Sequence, residues 1–185
     1  DRDLDFSAAQ THISHVVVSR EGVPPLDNLE DLDGKTVVVM QGDITHDLLL
    51  EKGKAKKIVT VSSQEEALRL LAEGIHDYAM VARIPALFWV QKRNWETLYV
   101  GTQAVIAPDY CYAILHGNAE LMEKFEEGLA ALKVSGEYRD IYKRTLGRYE
   151  SSNAKVVEYL IYGISVLGLG LLLTLSLVQK LRHKI

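Results

Sequence analysis

The sequence predicts an α/β fold in which a mostly parallel sheet is flanked by helices, followed by one C-terminal transmembrane helix. Short apolar runs rich in β-branched residues alternate with helical patterns, which is typical of strands joined by crossover helices. Several of these runs are apolar at consecutive positions, as strands covered on both faces require. No residue between Tyr159 and Gln179 is charged, and roughly 20 apolar residues in a helix span a bilayer core of about 30 Å.

Six segments are predicted as strands because they are short, apolar and bounded by turn residues. They are His15 to Val18, Thr36 to Met40, Ile58 to Val61, Tyr78 to Val81, Leu98 to Val100 and Tyr110 to Leu115.

Helices are predicted between the strands from their end signals. Ser63 and Glu66 form a capping box for a helix that ends at Gly74. Pro85 suits the first turn of a helix that reaches Lys92, because the amide it lacks has no partner there. Further along, Asn118 is predicted to cap a helix that ends near Gly136, and an amphipathic stretch follows at Glu137 to Leu146.

The predicted membrane span covers residues 156–179, after a polar linker at residues 151–155. Three basic residues follow the span, Lys180, Arg182 and Lys184, whereas the charges of Lys155 and Glu158 at its other end sum to zero. Positive residues favour the cytoplasmic side of a span. We therefore expect a single-pass inner-membrane protein with residues 1–155 periplasmic or extracellular and residues 180–185 beginning the cytoplasmic part. A buried helix of a soluble protein is the disfavoured alternative.

The charge and cysteine content exclude some classes of function. Residues 1–154 carry 17 lysines and arginines against 24 aspartates and glutamates, a net charge of −7, so nucleic acid is not an expected partner. Cys111 is the single cysteine and cannot form an internal disulfide. Because the chain starts at Asp1 and an exported domain needs a signal sequence, we expect it to be a fragment of a longer protein.

No catalytic or metal-binding pattern is found in the sequence. The six histidines lack the spacing of a zinc site, and we expect His12 and His15, at the start of a strand, to be ordinary polar or surface residues. A nucleophile elbow and a phosphate-binding glycine loop are also missing. We therefore predict that these residues form no enzyme and need no metal or cofactor.

The candidate ligand site follows the strand at Thr36 to Met40, where the chain passes through Gly42 directly into a helix. Such a junction directs free backbone amides toward the carboxyl edge of the sheet, where open α/β sheets bind ligands. Alternatively, Asp43 or Thr45 merely caps the helix. Arg83 follows the strand at Tyr78 to Val81 and could face the same cleft.

A set of short motifs in order resembles the bacterial family-3 solute-binding proteins, which have the periplasmic-binding-protein (type 2) or Venus-flytrap fold. The motifs are Phe6-Ser7, Val16-Val-Val-Ser-Arg20, Leu29-Glu-Asp-Leu-Asp-Gly-Lys-Thr-Val37, Gln41-Gly42, Glu65-Glu-Ala-Leu68, Gly74, Asp77, Tyr112-Ala, Leu132-Lys, Gly136-Glu-Tyr and Ile141-Tyr142. The segment from Glu127 to Tyr142, followed by a membrane helix, is most similar to sensor domains of membrane histidine kinases and diguanylate cyclases.

The resemblance implies a partial solute-binding domain at residues 1–150. Residues 21–107 would form lobe 2, residues 1–18 and 109–150 would remain of lobe 1, and the N-terminal part of lobe 1 would be missing. Strands near Val16 to Arg20 and Asp109 to Ile114 would cross between the lobes as a hinge.

The resemblance also implies ligand-binding roles for Arg2, Gly42, Asp43, Thr45 and Arg83. In amino-acid binders of the family a Ser or Thr after the glycine holds the ligand carboxylate, whereas Asp43 and Ile44 follow here, and Thr45 comes one or two places late. An acidic residue usual at the position of Ala82 is replaced by alanine, and Arg2 lies closer to Phe6 than the family pattern has it. These departures leave another small polar solute, or a signal from a partner protein, as alternatives to an amino acid.

The function that these expectations favour is an extracytoplasmic sensor domain that closes on a small-molecule ligand and signals through its membrane helix. The alternative is a membrane-tethered solute-binding component of an amino-acid-type transporter. Gly163, Gly168 and Gly170 form a loose small-residue pattern in the span, which together with the resemblance suggests a homodimer.

Overall fold

A five-stranded sheet forms the centre of the fold in the computed structural model, which describes residues 3–150, 161–165 and 168. The chain divides into two units, Asp1–Lys143 and Arg144–Ile185. The strands are β1 (Leu4–Phe6), β2 (Thr11–His12), β3 (His15–Arg20), β4 (Thr36–Met40), β5 (Lys57–Val61), β6 (Tyr78–Ala82), β7 (Leu98–Val100), β8 (Asp109–Tyr110) and β9 (Ala113–Leu115). The helices are α1 (Ile44–Lys52), α2 (Gln64–Ala72), α3 (Arg83–Arg93), α4 (Ala119–Ser135), α5 (Glu137–Thr145) and α6 (Gly147–Glu150).

The strand order in the large sheet is β5-β4-β6-β3-β7. β4 is parallel to β5 and β6, and β3 is antiparallel to its two neighbours β6 and β7. Four strands therefore run in one direction, and the predicted mostly parallel α/β sheet is confirmed. Two short antiparallel pairs, β1 with β9 and β2 with β8, lie outside this sheet.

The central strands are apolar at consecutive positions because both faces of the sheet are covered by other elements. On one face Val16, Val18 and Val38 pack with Leu68 and Leu71 of α2. On the opposite face, Val17, Val37, Val39 and Met80 pack with Leu49 of α1. Helices on both faces of a sheet give the layered α/β arrangement that the sequence predicts.

The helix ends agree with the predicted signals in two cases and differ in a third. The Ser63 side chain accepts a hydrogen bond from the Glu66 amide at the start of α2, as the capping box predicts. Gly136 ends α4 in the left-handed conformation, at φ 85°. Asn118 precedes α4, but its side chain makes no capping hydrogen bond.

The strand prediction needs one correction at the boundary of the large sheet. The predicted strand Tyr110 to Leu115 is interrupted, because Asp109–Tyr110 pairs with β2 whereas Ala113–Leu115 pairs with β1. The segment Val16 to Arg20, expected to cross between lobes, lies inside the five-stranded sheet as most of β3. The chain enters that sheet just before His15, and the division of the domain into lobes stays a prediction.

The predicted linker (151–155), the cytoplasmic start (180–185) and most of the membrane span (156–179) lie outside the described residues. Residues 161–165 and 168 are helical. Within the ranges that the structure describes, no helix combines the length and the apolar character needed to cross a membrane.

Candidate functional site

The carboxyl ends of β4, β5 and β6 meet at one edge of the large sheet because these three strands are parallel. Asp43 follows β4, Gln64 begins the helix after β5, and Arg83 begins the helix after β6. His15 starts the antiparallel strand β3 opposite Ala82, at the same edge. Residues far apart in the sequence are therefore brought together where α/β sheets bind ligands.

Asp43 caps helix α1 with its own carboxylate. Its Oδ1 atom accepts hydrogen bonds from the Thr45 amide at 2.9 Å and from Thr45 Oγ1 at 3.0 Å. Gly42 precedes it with a φ of 74°, which a glycine adopts without strain and which turns the chain into the helix. The helix-capping alternative is thus realised, and Thr45 itself is buried.

Gln64 links the ends of two strands through its side-chain amide. Its Nε2 donates to Asp43 Oδ2 at 3.0 Å, and its Oε1 accepts from the Ala82 amide at 3.2 Å. Gln64 is partly buried, so both groups gain a partner where water has restricted access. The side chain holds Asp43 in a fixed position at the edge of the sheet.

His15 is fully buried beneath this network. Its Nε2 lies 3.8 Å from Asp43 Oδ1 and has no hydrogen-bond partner within the described part of the chain, while its Nδ1 lies 3.2 Å from the carbonyl oxygen of Ile13. Burial lowers the pKa of His15, and the charge of Asp43 and the Ile13 carbonyl only partly offset this effect. The imidazole is therefore disfavoured as a cation.

An open cavity of about 360 Å³ lies beside Asp43. Phe6, Asp109 and Tyr110 line it together with Asp43, and Ile44, Pro108 and Cys111 complete the wall. Burial and the charge of Asp43 raise the pKa of the Tyr110 hydroxyl. A cavity of this size at the carboxyl edge of a sheet is large enough for a small solute.

The pairing of β2 with β8 brings Asp109 and Tyr110 to the cavity. Thr11 is opposite Tyr110 and His12 is opposite Asp109. His12 Nδ1 is 2.7 Å from Asp109 Oδ1, and both side chains are mostly exposed. The site is therefore formed by the large sheet on one side and by these connecting strands on the other.

Of the four predicted site residues that the structure describes, only Asp43 lines the cavity, while Gly42 and Thr45 lie beside it at the start of α1. Arg83 lies at the end of β6, where its amide donates to the Ser14 carbonyl at 2.8 Å. Its buried Nε has no hydrogen-bond partner among the described residues, and Arg83 does not line the cavity. Arg2 lies outside the described residues.

Sequence reasoning missed His15, Gln64, Phe6, Asp109 and Tyr110 as parts of this region. The only available signal for His15 was its position at the start of a strongly apolar strand. Gln64 was visible only as the residue after the Ser63 cap. Their roles depend on strand neighbours that sequence spacing does not reveal.

No protein-family model matches the chain. Among curated proteins, the chain is 25% identical over 189 aligned residues to the virulence sensor protein BvgS of Bordetella pertussis. The alignment covers 98% of this chain and 15% of that protein. BvgS of Bordetella bronchiseptica is similar at 24% identity over the same share. The chain therefore spans a small part of the curated relatives it matches.

Among solved structures, the chain is similar to a histidine kinase sensor domain that itself resembles periplasmic binding proteins. The identity is 37% and the TM-score 0.72, over 79% of this chain and 64% of that one. An ancestral arginine-binding protein bound to glutamine matches at 26% identity and a TM-score of 0.68, over 78% of this chain and 64% of that chain.

The sequence comparison and the structure comparison both agree with the family resemblance that the sequence motifs indicate. The strand order, the two connecting strands and the edge with the cavity are all found in residues 3–143. These residues form a periplasmic-binding-protein-like α/β domain of the family-3 solute-binding type, similar to the sensor domains of histidine kinases.

Proposed function

We propose that the chain is the extracytoplasmic ligand-sensing part of a membrane signalling receptor, which closes on a small solute and signals through one transmembrane helix. The observation that carries the proposal is the cavity at the carboxyl edge of the sheet, bounded by the strands that connect the large sheet to the β1–β9 pair. Ligand bound there would touch both sides of a hinge.

The connection is narrow enough to serve as a hinge. Thr11 pairs with Tyr110 and His12 with Asp109, and one isolated bridge joins His15 to Ile106. Hinges are formed by a few residues at the ends of elements, which absorb the change in backbone angles. A ligand that contacts Asp43 on one side and Tyr110 on the other would favour the closed state, because it binds that state better.

The similarity to sensor proteins supports signalling as the output. The relatives named above include a virulence sensor and a histidine kinase sensor domain. The uncharged run from residue 159 to 179 and the basic residues after it support a single span with a cytoplasmic C-terminus. In this proposal, α4 and α5 pass the change in closure along the chain to the span.

A tethered transport component is the second candidate, supported by the similarity to an arginine-binding protein. The two candidates predict different coding sequences beyond Ile185. A receptor requires a kinase, cyclase or other output domain in the same reading frame. A transport component requires either a stop codon shortly after Lys184 or further membrane spans, and either result from sequencing the gene would contradict the signalling proposal.

The membrane topology is tested with reporter fusions to the full-length protein in bacterial cells. Alkaline phosphatase, which is active only outside the cytoplasm, is expected to be active when fused after Glu150 and inactive when fused after His183. Replacing Lys180, Arg182 and Lys184 by glutamine should weaken this orientation, whereas replacing Lys52, Lys54 and Lys56 should not. Active phosphatase after His183 in the unmodified protein would overturn the proposed topology.

A further inference from the structure

We propose that the cavity beside Asp43 takes a small organic cation without a carboxylate, an amine or guanidinium compound that presents its positive group to Asp43. This inference rests on the proposed ligand-sensing function and adds the chemical class of the ligand. It follows from three properties: the amides at the start of α1 are already occupied by Asp43, the cavity wall is negatively charged, and the wall contains aromatic rings.

The first property is that the protein supplies its own anion at the start of α1. The N-terminus of a helix attracts a negative group through its free amides. Here the Asp43 carboxylate already accepts hydrogen bonds from the Thr45 amide and the Thr45 hydroxyl. A ligand carboxylate would compete with these bonds and would also be repelled by the charge of Asp43.

The second property is a negative charge in the cavity wall that Thr45 and Gln64 stabilise by hydrogen bonds but that no lysine or arginine among the described residues neutralises. The side chain of Asp43 is about nine-tenths buried, with 9% of its surface exposed. Within the part of the chain that the structure describes, the only basic group in ion-pair range is His15, at 3.8 Å. Because burial lowers the pKa of His15, that imidazole provides little positive charge at neutral pH.

Asp109 adds a second carboxylate to the same wall, and no lysine or arginine among the described residues lines the cavity. The exposed His12 contacts Asp109 from the strand opposite. A buried carboxylate without a cationic partner is electrostatically costly, and a bound cation removes part of that cost. The charge of the cavity thus favours a cation over a neutral or anionic solute.

The third property is the pair of aromatic rings in the wall. Phe6 is 58% exposed and Tyr110 is 38% exposed, and both line the cavity. Exposed aromatic faces attract amines and guanidinium groups through cation–π interactions. Carboxylates and aromatic rings around a cavity of about 360 Å³ therefore match a cation of a few to a dozen heavy atoms.

Calorimetric titration of the purified full-length protein tests the class of ligand with matched probes. Agmatine and L-arginine share a guanidinium and an amine and differ in the carboxylate of arginine. We expect agmatine to bind at least roughly tenfold more tightly than L-arginine, a difference of about 1.4 kcal/mol. Putrescine and choline extend the cation series, and glutarate is the anionic probe that should not bind.

Two substitutions, one at the N-cap of α1 and one inside that helix, separate the site from a general effect of charge. Asp43→Asn keeps an oxygen for the Thr45 amide but removes the negative charge, and should weaken agmatine binding by roughly tenfold or more. Asp47→Asn removes an exposed carboxylate that does not line the cavity, and should leave binding unchanged. If Asp43→Asn does not fold, Asp109→Asn is measured in its place, with a smaller loss expected.

The outcomes distinguish this inference from the proposed function. Binding of L-arginine or glutarate at least as tight as that of agmatine would overturn the cation class while leaving ligand sensing intact. Equal losses in Asp43→Asn and Asp47→Asn would also overturn it. If none of the cations binds, the inference fails. The receptor proposal is then tested separately by the reporter fusions and by the reading frame after Ile185.

Discussion

Nε2 of His15 lies 3.8 Å from Oδ1 of Asp43, so a buried imidazole and a nearly buried carboxylate meet without a hydrogen bond between them. The carboxylate is instead satisfied by Thr45 and Gln64. This arrangement keeps His15 close to a negative charge but in a setting where burial opposes its protonation by lowering its pKa. The stability of the domain should therefore depend on pH through His15.

The free energy of unfolding is expected to fall as the pH is lowered through about 6.5, the ordinary pKa of histidine. Burial lowers the pKa of His15 in the folded state, so the unfolded chain takes up this proton at a higher pH than the folded chain does. Protonation then favours unfolding, by at most about 1.4 kcal/mol per pH unit for one group. Urea unfolding between pH 7.5 and pH 5 measures the slope.

The variant His15→Gln should flatten this slope, whatever its effect on stability at pH 7.5. His76→Gln serves as the control, since His76 is only partly buried and has no described contact with Asp43. An unchanged slope in His15→Gln, or a domain that becomes more stable on acidification through this group, would contradict the assignment.

Replacing Gln64 by alanine should destabilise the domain by about 1–3 kcal/mol, because Asp43 Oδ2 and the Ala82 amide each lose a partner. Gln91→Ala on α3 is the matched control, since Gln91 is exposed and makes no side-chain hydrogen bond among those described. Thermal unfolding of both variants decides the matter. Similar melting temperatures would show that the Gln64 link carries no stability.

Two glycine-to-alanine substitutions should change the stability of the domain in opposite directions. An alanine Cβ at Gly101 would lie 2.7 Å from the Val17 carbonyl oxygen, so Gly101→Ala should destabilise the domain by roughly 1–3 kcal/mol. At Gly128, inside α4, a Cβ meets nothing within 4 Å, so Gly128→Ala should stabilise by about 0.5–1 kcal/mol. Chemical denaturation gives both values, and a neutral Gly101→Ala would refute the close approach to β3.

Leu68→Ala should cost about 2–5 kcal/mol of stability, since the side chain is fully buried between α2 and the sheet. Leu50→Ala removes the same atoms from a side chain that is 60% exposed, and should change stability by less than about 0.5 kcal/mol. The difference in denaturation midpoint between the two variants measures the core contribution. A difference near zero would mean that this face of the sheet is loosely packed.

Much of the large sheet is predictable from local pattern. The strands at Thr36 to Met40 and at Leu98 to Val100 were predicted with the bounds that the structure has, because turn residues or polar residues flank a short apolar run. The cap at Ser63 was also predicted, since its spacing to Glu66 is a local signal. These features depend on neighbours within a few residues.

The features that sequence reasoning missed depend on partners far along the chain. β1 and β2 were missed because a strand of two or three residues is too short to show an alternating pattern. They pair with β9 and β8, for example at Leu115 and Tyr110, which lie far along the chain. His15 was treated as an ordinary polar or surface histidine, yet it is buried, with Ala82 of β6 paired on one side and Ile106 on the other. A cavity lies beside Asp43, and the ligand site predicted at Gly42 and Asp43 stays a prediction; the second wall of the cavity could not be derived from spacing.

The position of β3 in the sheet also has a consequence for the newly made chain. β3 leaves the ribosome before any of its partners, because it pairs with β6 and β7, which come much later. At about 5–20 residues per second, its valines stay uncovered for a few seconds. An unpaired apolar strand readily joins another chain, so variants that delay β6 should aggregate during synthesis even if the finished domain is stable.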